Sequence, residues 1–495
     1  MSEERTVLTS TAANVVGLCV GVVAAVAVQV LLGRTLAPGA FGLVTVAVQV
    51  AFVASAGSRF GMDMASVRLV AIGRGAGAPG NLRSLVERCA LVAFGVSVLL
   101  AALIAAASPV FGDYSREVAL AAPAIPFLAV TNVYLGATRG LNQMRQTLWV
   151  FWIGQPLLWL AACAVVIGAG GETDAVILAY GFSWAVAALA ARILWRREAR
   201  GFAERHATRE EVRAALRYGL PRAPSALLAQ GVFWADLWVL SAFEHGTELD
   251  AYSAAARISQ VLLLFLTSLN LVFSPFAADL HARNERRRLQ ELFQLSTRWA
   301  LAATLPLLIV LFVGADDVLQ AFSDRYTVGE DALRILLVGQ AANVATGSVG
   351  AILIMTGFTG VDLLDNLVGI VVLVGLAVGL TAAFGMEGTA VASAVSIAAV
   401  NVVRLVQVRG RVGIQPYNRV YLGLLVPVAG GGLAALGAHA ALADSPWWSS
   451  LAVTAVCGIA AYAALLLVVL PKGERAALSG MLARVAGRRA VETPN

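Results

Sequence analysis

The sequence predicts an all-α integral membrane protein of fourteen transmembrane helices, arranged as two six-helix lobes with two further helices at the C-terminus. Three observations carry that expectation. Of 495 residues, 59% are hydrophobic and 13% are charged, against roughly 45–50% and about 25% in soluble domains. The apolar residues fall in blocks of about twenty, the helix length that crosses a hydrocarbon core of about 30 Å. Short segments of the first half also recur, weakly, in the second.

In order, the blocks are Thr11–Gly33, Ala40–Val70, Cys89–Ala107, Val118–Ala137, Leu148–Gly168, Ala175–Trp195 and Tyr218–Phe243. They continue as Tyr252–Phe276, Trp299–Val313, Ala332–Met355, Leu367–Phe384, Thr389–Val408, Val420–Ala440 and Trp447–Leu470. Thr11–Gly33 is longer than the apolar region of a cleaved signal and another block follows it, so it is expected to be the first span. Pro123, Pro126, Pro156, Pro275, Pro306 and Pro427 fall inside blocks, where each removes a backbone donor and permits a bend.

The connectors orient the spans. One alternate set, with both termini, holds 30 of the 36 basic residues; the other holds only Arg34, Arg116 and Arg325. Lys and Arg concentrate on the cytoplasmic side, so both termini are expected in the cytoplasm. Only Lys472 is lysine, which with the many alanines suggests the codon bias of a high-GC bacterial genome, and hence a bacterial inner membrane. The net charge of +6 sits in these short connectors and not in a basic domain, which argues against nucleic acid as a partner. The outer connectors are short and acidic, as at Glu172/Asp174, Glu244/Glu248/Asp250 and Asp316/Asp317. None is large enough to house a catalytic domain, so no enzyme activity is expected. Cys19, Cys89, Cys163 and Cys457 lack paired spacing, and His206, His245, His281 and His439 lie far apart, so neither a metal centre nor a cofactor is expected from the sequence.

The longest inner connector, Arg196 to Arg217, contains Thr208-Arg-Glu-Glu211, the spacing of a helix capping box, and reads as a helix joining two halves. The halves align at three anchors. Leu36–Gly42 pairs with Thr247–Ser253, Gly140 with Gly357, and Glu172–Val176 with Glu387–Val391, at separations of 211, 217 and 215 residues. Each repeat has six spans, so the copies share orientation and face each other across a cavity. The expected organisation is an N-terminal lobe at 1–196, a linker helix at 197–217, a C-terminal lobe at 218–410, spans thirteen and fourteen within 411–471, and a cytoplasmic tail at 472–495.

At Leu32-Gly-Arg-Thr-Leu-Ala-Pro-Gly-Ala-Phe-Gly42, leading into Arg59-Phe-Gly-Met-Asp-Met-Ala-Ser-Val-Arg68, the chain resembles the Wzx-like polysaccharide transporter branch of the multidrug/oligosaccharidyl-lipid/polysaccharide (MOP) exporter superfamily. Leu216-Arg-Tyr-Gly-Leu-Pro221, and Ala251-Tyr252 with Ala254-Ala-Ala-Arg257, add to that resemblance, which covers about residues 5 to 410. It implies a MATE/MOP-like fold and a flippase that moves a polyprenyl-diphosphate-linked oligosaccharide from the cytoplasmic to the outer leaflet by alternating access. A polysaccharide polymerase is a candidate partner, and H+ or Na+ a candidate coupling ion. The rival readings are a cation-coupled multidrug exporter of the same superfamily and a lipid II flippase.

Ionisable groups inside spans cost roughly 2.5–3.5 kcal/mol each, so each asks for a partner or a wet cavity. Arg59 and Asp63 are four residues apart in the second span, which puts both on one helix face. Arg59 either meets the substrate diphosphate or forms a structural pair with Asp63. Asp236 and Arg257 lie at matching depth on consecutive helices and are expected either to pair as a gate or to act separately, Arg257 on phosphate and Asp236 on a coupling ion. Trp234, beside Asp236, either stacks on sugar or packs against lipid. Asn14, Gln155, Tyr180, Asn270, Gln340, Asn343 and Asn401 are among the span residues that either hydrogen-bond sugar hydroxyls or bridge helices.

Overall fold

The computed structural model of the chain describes residues 2–75, 81–141, 143–202, 205–220, 223–470 and 475, with side chains at residue 17 and from residue 20 onward except those at 74, 75, 225, 271, 272, 275, 359 and 419. Among these residues there are helices and turns and no strand. Eight helices are long and apolar enough to cross a membrane, and eleven spans result if three bent helix pairs each count as one. Two shorter apolar helices cover Val20–Thr35 and Ala226–Leu240. The chain is a multi-pass membrane protein. Its large apolar side chains remain widely exposed, Leu99, Leu103, Leu433 and Val468 each by 65% or more, as expected where hydrocarbon rather than water is the solvent.

Two compact units form. The first comprises Met1–Val261, Phe322–Ala332 and Gly360–Ser396; the second comprises Leu262–Ala321, Leu333–Thr359 and Ile397–Asn495.

In the first unit α1 (Ser2–Thr35), α2 (Ala40–Ser58), α3 (Met62–Gly75) and α4 (Leu82–Ala106) are followed by α5 (Ser115–Ala121), α6 (Ala124–Gly140) and α7 (Met144–Thr147). The expected second span, Ala40–Val70, is therefore not continuous. Phe60 and Gly61 adopt left-handed φ of 46° and 66° and separate α2 from α3. α5 and α6 meet at a 54° bend where Pro123 supplies no backbone donor.

A π-helical turn, Leu148–Gly154, precedes α8 (Gln155–Gly168), whose second residue is Pro156. Pro156 cannot bond the carbonyl four residues earlier, that of Trp152. Gly21 of α1 packs directly on that carbonyl, in space that any Cβ would fill.

α9 (Thr173–Glu198) leads to α10 (Arg209–Gly219), α11 (Ala223–Leu240) and α12 (Thr247–Gln260). The expected capping box is present at the start of α10. Thr208 Oγ1 accepts the Glu211 N–H at 3.3 Å, and Glu211 Oε2 accepts the Thr208 N–H at 2.7 Å. α10 is held to the rest of the unit by the Asn81–Glu211 hydrogen bond, by the Arg68 guanidinium 4.4 Å over the Tyr218 ring, and by a glycine-to-glycine approach of Gly219 to Gly61.

The second unit contains α13 (Leu263–Ala282), α14 (Arg286–Val313), α15 (Ala315–Gln320), most of α16 (Glu330–Thr346) and α17 (Val349–Met355). α18 (Thr359–Arg411) runs through both units and is interrupted at Gly385, φ 57°, between the two apolar blocks expected there. α19 (Arg419–Leu422), α20 (Leu425–Ala441) and α21 (Trp447–Val469) complete it. Leu266, Leu305, Ile309, Val344, Ala435 and Tyr462 form a core joining α13, α14, α16, α20 and α21. The span amides here bridge helices: Asn401 Nδ2 donates to Asn343 Oδ1 at 3.0 Å, and Ser348 bonds Asn270.

Candidate functional site

A cavity of about 240 Å³ opens inside the first unit, lined by Gln49, Gln155, Trp159, Tyr180, Trp234 and Arg257 among others. The π-helical turn before Pro156 helps shape it, because Phe151 and Trp152 reach the cavity from that turn while Gln155 reaches it from the start of α8. Trp159 and Tyr180 meet edge to face at 4.9 Å between ring centroids. Gln155 Nε2 donates to Ser183 Oγ at 3.0 Å, which fixes the amide at the cavity edge.

Arg257 stands in the last turn of α12, its guanidinium 4.3 Å over the Trp234 ring. Among the described residues no carboxylate pairs with it, and its Nε has no hydrogen-bond partner. The indole N–H groups of Trp159 and Trp234 and the amide oxygen of Gln49 are buried and unpartnered as well. Each such group costs about 1–3 kcal/mol while it stays unsatisfied. These groups line one cavity with Arg257 and several aromatic rings, which makes it the candidate site.

Asp236 is not part of it. Two residues after Trp234 on α11, it is turned by about 200° around the helix. It accepts a hydrogen bond from the Tyr252 hydroxyl at 2.9 Å and another from Ser393 Oγ at 3.0 Å. The gate pair considered for Asp236 and Arg257 does not form. Sequence reasoning missed both partners, Tyr252 on the next helix 16 positions away and Ser393 157 positions away, because neither contact is local.

Arg59 and Asp63 do meet, Nη1 to Oδ2 at 3.2 Å, and Arg59 Nε also donates to the Ser55 carbonyl at 3.1 Å. The pair spans the break between α2 and α3 and does not follow one helix face, and neither residue lines the Arg257 cavity. The side chain of Asn14 lies outside the described residues.

A further acid, expected only as connector charge, has a definite task. Gly39, left-handed at φ 85°, precedes α2 and has no side chain with which to cap it. Asp250 supplies the missing cap from α12, accepting the Gly39 N–H at 2.7 Å and the Gly42 N–H at 2.6 Å. In the repeat alignment Asp250 is the counterpart of Gly39 itself. The two anchors found by sequence comparison touch each other.

The class is thereby defined: a helical multi-pass membrane protein with a largely apolar and aromatic cavity that holds a few polar groups. The chain belongs to the polysaccharide biosynthesis protein family, whose model matches residues 7–281, and this is the Wzx-like branch that the motifs resemble. The MatE model matches residues 221–379. A curated relative, the probable low-salt glycan biosynthesis flippase Agl15 of Haloferax volcanii, is 20% identical over 265 residues, 53% of this chain and 53% of that protein. The match thus spans about half the length of that relative.

Among solved structures, the lipid II flippase MurJ in an inward closed conformation is similar at a TM-score of 0.69 and 13% identity, covering 96% of this chain and 99% of that one. An inward-facing multidrug resistance MATE family transporter of the MOP superfamily is similar at 0.63 and 14% identity, covering 79% and 94%. The fold is the MATE/MOP fold. The relatives and structures it resembles are named as flippases and transporters, not as enzymes.

Proposed function

We propose that this chain is a flippase that translocates a polyprenyl-diphosphate-linked oligosaccharide from the cytoplasmic to the outer leaflet of a bacterial inner membrane, for surface polysaccharide assembly. The observation that carries the reading is Arg257, an unpaired guanidinium stacked on Trp234 in a cavity whose other polar groups also lack partners. A diphosphate needs charge-assisted donors, and the planar fork of arginine matches phosphate oxygens. Trp159, Tyr180 and Trp234 offer faces and edges for sugar rings, and Gln49 offers an acceptor for a hydroxyl. Family membership and a relative named as a glycan flippase support this substrate class over a drug.

Transport follows if the substrate biases two packings of the lobes, one open to each side. Both termini are then cytoplasmic, as the distribution of arginine implies. Asp236, enclosed by Tyr252 and Ser393, is the group best placed to carry a coupling H+ or Na+.

The test is resolved by leaflet. Deleting the gene leaves glycan synthesis intact while lipid-linked repeat units accumulate in the inner leaflet, measured with an impermeant glycan-modifying enzyme on spheroplasts. Equal outer-leaflet exposure in deleted and wild-type cells, in a strain without a second flippase, would sink the proposal and favour the multidrug exporter. Loss of lipid II exposure in place of oligosaccharide exposure would reassign the chain to peptidoglycan.

A further inference from the structure

A side-chain cluster in the second unit plays no part in this transport reading. α14 ends at Val313, and Asp316 and Asp317 stand in the first turn of α15. His439 lies in the last turn of α20 and Ser450 in the first turn of α21. His439 Nδ1 is 3.5 Å from Asp317 Oδ2 and 3.2 Å from Ser450 Oγ, while its Nε2 is 3.6 Å from Asp316 Oδ1. One donor atom from each of Asp316, Asp317 and His439 lies within 4.8 Å of the others.

The Asp317 side chain is only 8% exposed, and Oδ2, the oxygen that faces His439, receives no hydrogen bond. The Asp316 oxygen facing the ring has none either.

Charge and spacing point to the same occupant. Two carboxyl groups and an imidazole meet in a half-dry corner, where a divalent cation balances the charge of two carboxylates. Ligands held at about 2.0–2.2 Å in a tetrahedral shell stand about 3.3–3.6 Å apart. Asp317 and Ser450 already stand close to that spacing from His439 Nδ1. Asp316, 38% exposed, is free to rotate toward them.

We propose that Asp316, Asp317 and His439, with Ser450 or a water as the fourth ligand, bind a divalent metal ion of the zinc type that ties α20 and α21 to the corner between α14 and α15. One imidazole nitrogen with carboxylate oxygens suits Zn2+ better than Mg2+.

The experiment uses the full chain, without a histidine tag, in nanodiscs stripped of metal and titrated with ZnCl2 or MgCl2, with bound metal and thermal midpoint both read. One zinc per chain is expected, with a rise in midpoint that MgCl2 does not reproduce. Asp317→Asn and His439→Ala should weaken zinc binding by at least about 100-fold, while His281→Ala leaves it unchanged. If either variant fails to fold, Asp316→Asn at the more exposed position should still weaken binding by about tenfold. Zinc affinity unchanged in Asp316→Asn and His439→Ala overturns the proposal. So does a midpoint that ignores zinc but falls on alkalinisation, which would make the cluster an imidazolium clasp.

Discussion

Asp236 and Arg257 lie on consecutive helices of one unit, both set in apolar sequence, yet their surroundings are opposite in kind. Asp236 is closed off by donors from the protein itself, Tyr252 and Ser393. Arg257 is left over an indole ring with Nε unpartnered and, among the described residues, no acid paired with it. A charge in a span that is satisfied internally is held by the protein's own groups, whereas the reading proposed above gives the open one to the substrate. The difference separates two residues that looked equivalent by depth alone.

The sharpest way to break the comparison is to remove the open charge. Arg257→Ala should lower outer-leaflet exposure of lipid-linked glycan by about 10–100-fold, the loss of one or two charge-assisted hydrogen bonds at about 1.5–3 kcal/mol, at a normal protein level. Arg257→Lys should restore part of it, because the charge returns without the fork. Normal transport in Arg257→Ala would remove the cavity from the substrate's path.

Asp250 is next. Asp250→Ala deprives the start of α2 of two charge-assisted backbone bonds and should cost about 1.5–3 kcal/mol, read as a lowered thermal midpoint in detergent. An unchanged midpoint would mean that water caps α2 equally well.

The closed charge should behave in the reverse sense to Arg257. Asp236→Ala orphans two buried hydroxyls and should destabilise by about 1–3 kcal/mol, whereas Arg257→Ala removes an unpaired cation and should leave the midpoint level or raised. Equal destabilisation by both would erase the distinction drawn between them.

A smaller effect is expected at α10. Thr208→Ala should cost about 0.5–2 kcal/mol through loss of the cap. The Thr208 backbone N–H, with lesser help from the Thr208 hydroxyl and Asn81, holds the Glu211 carboxyl below the usual carboxylate range. Since the folded value is the lower one, this contribution is complete above the unfolded value, about 4.3, and is lost as pH falls through the folded value. Midpoints of wild type and Glu211→Gln should therefore converge under acid conditions.

The smallest effect tests separateness itself. A double-mutant cycle on Asp236 and Arg257 should be additive within about 0.3–0.5 kcal/mol, since no ion pair joins them. A larger coupling term would restore the gate pair that the hydrogen bonds of Asp236 argue against.

The class of the protein was legible in the sequence because hydropathy is a local property. Blocks of twenty apolar residues must become helices whatever they touch, since no other open structure satisfies the backbone in hydrocarbon. The Thr208–Glu211 box was legible for the same reason, its partners being three residues apart. The motifs at Leu32–Gly42 and Arg59–Arg68 also pointed to the family that the match over 7–281 shows. The break at Phe60–Gly61 was not legible, because glycine in an apolar block is compatible with either a packed helix or a kink.

Only the tertiary structure decided which ionisable groups are satisfied. Asp236 is closed by Ser393, Asp250 reaches back 211 positions to Gly39, and His439 meets Asp316 and Asp317 from another helix pair. Each outcome depends on where a distant segment's donor lands, to within a hydrogen bond's length. Local periodicity carries no information about that. Sequence therefore determined that this chain spans a membrane and to which family it belongs, while packing determined which of its few intramembrane charges found partners within the protein.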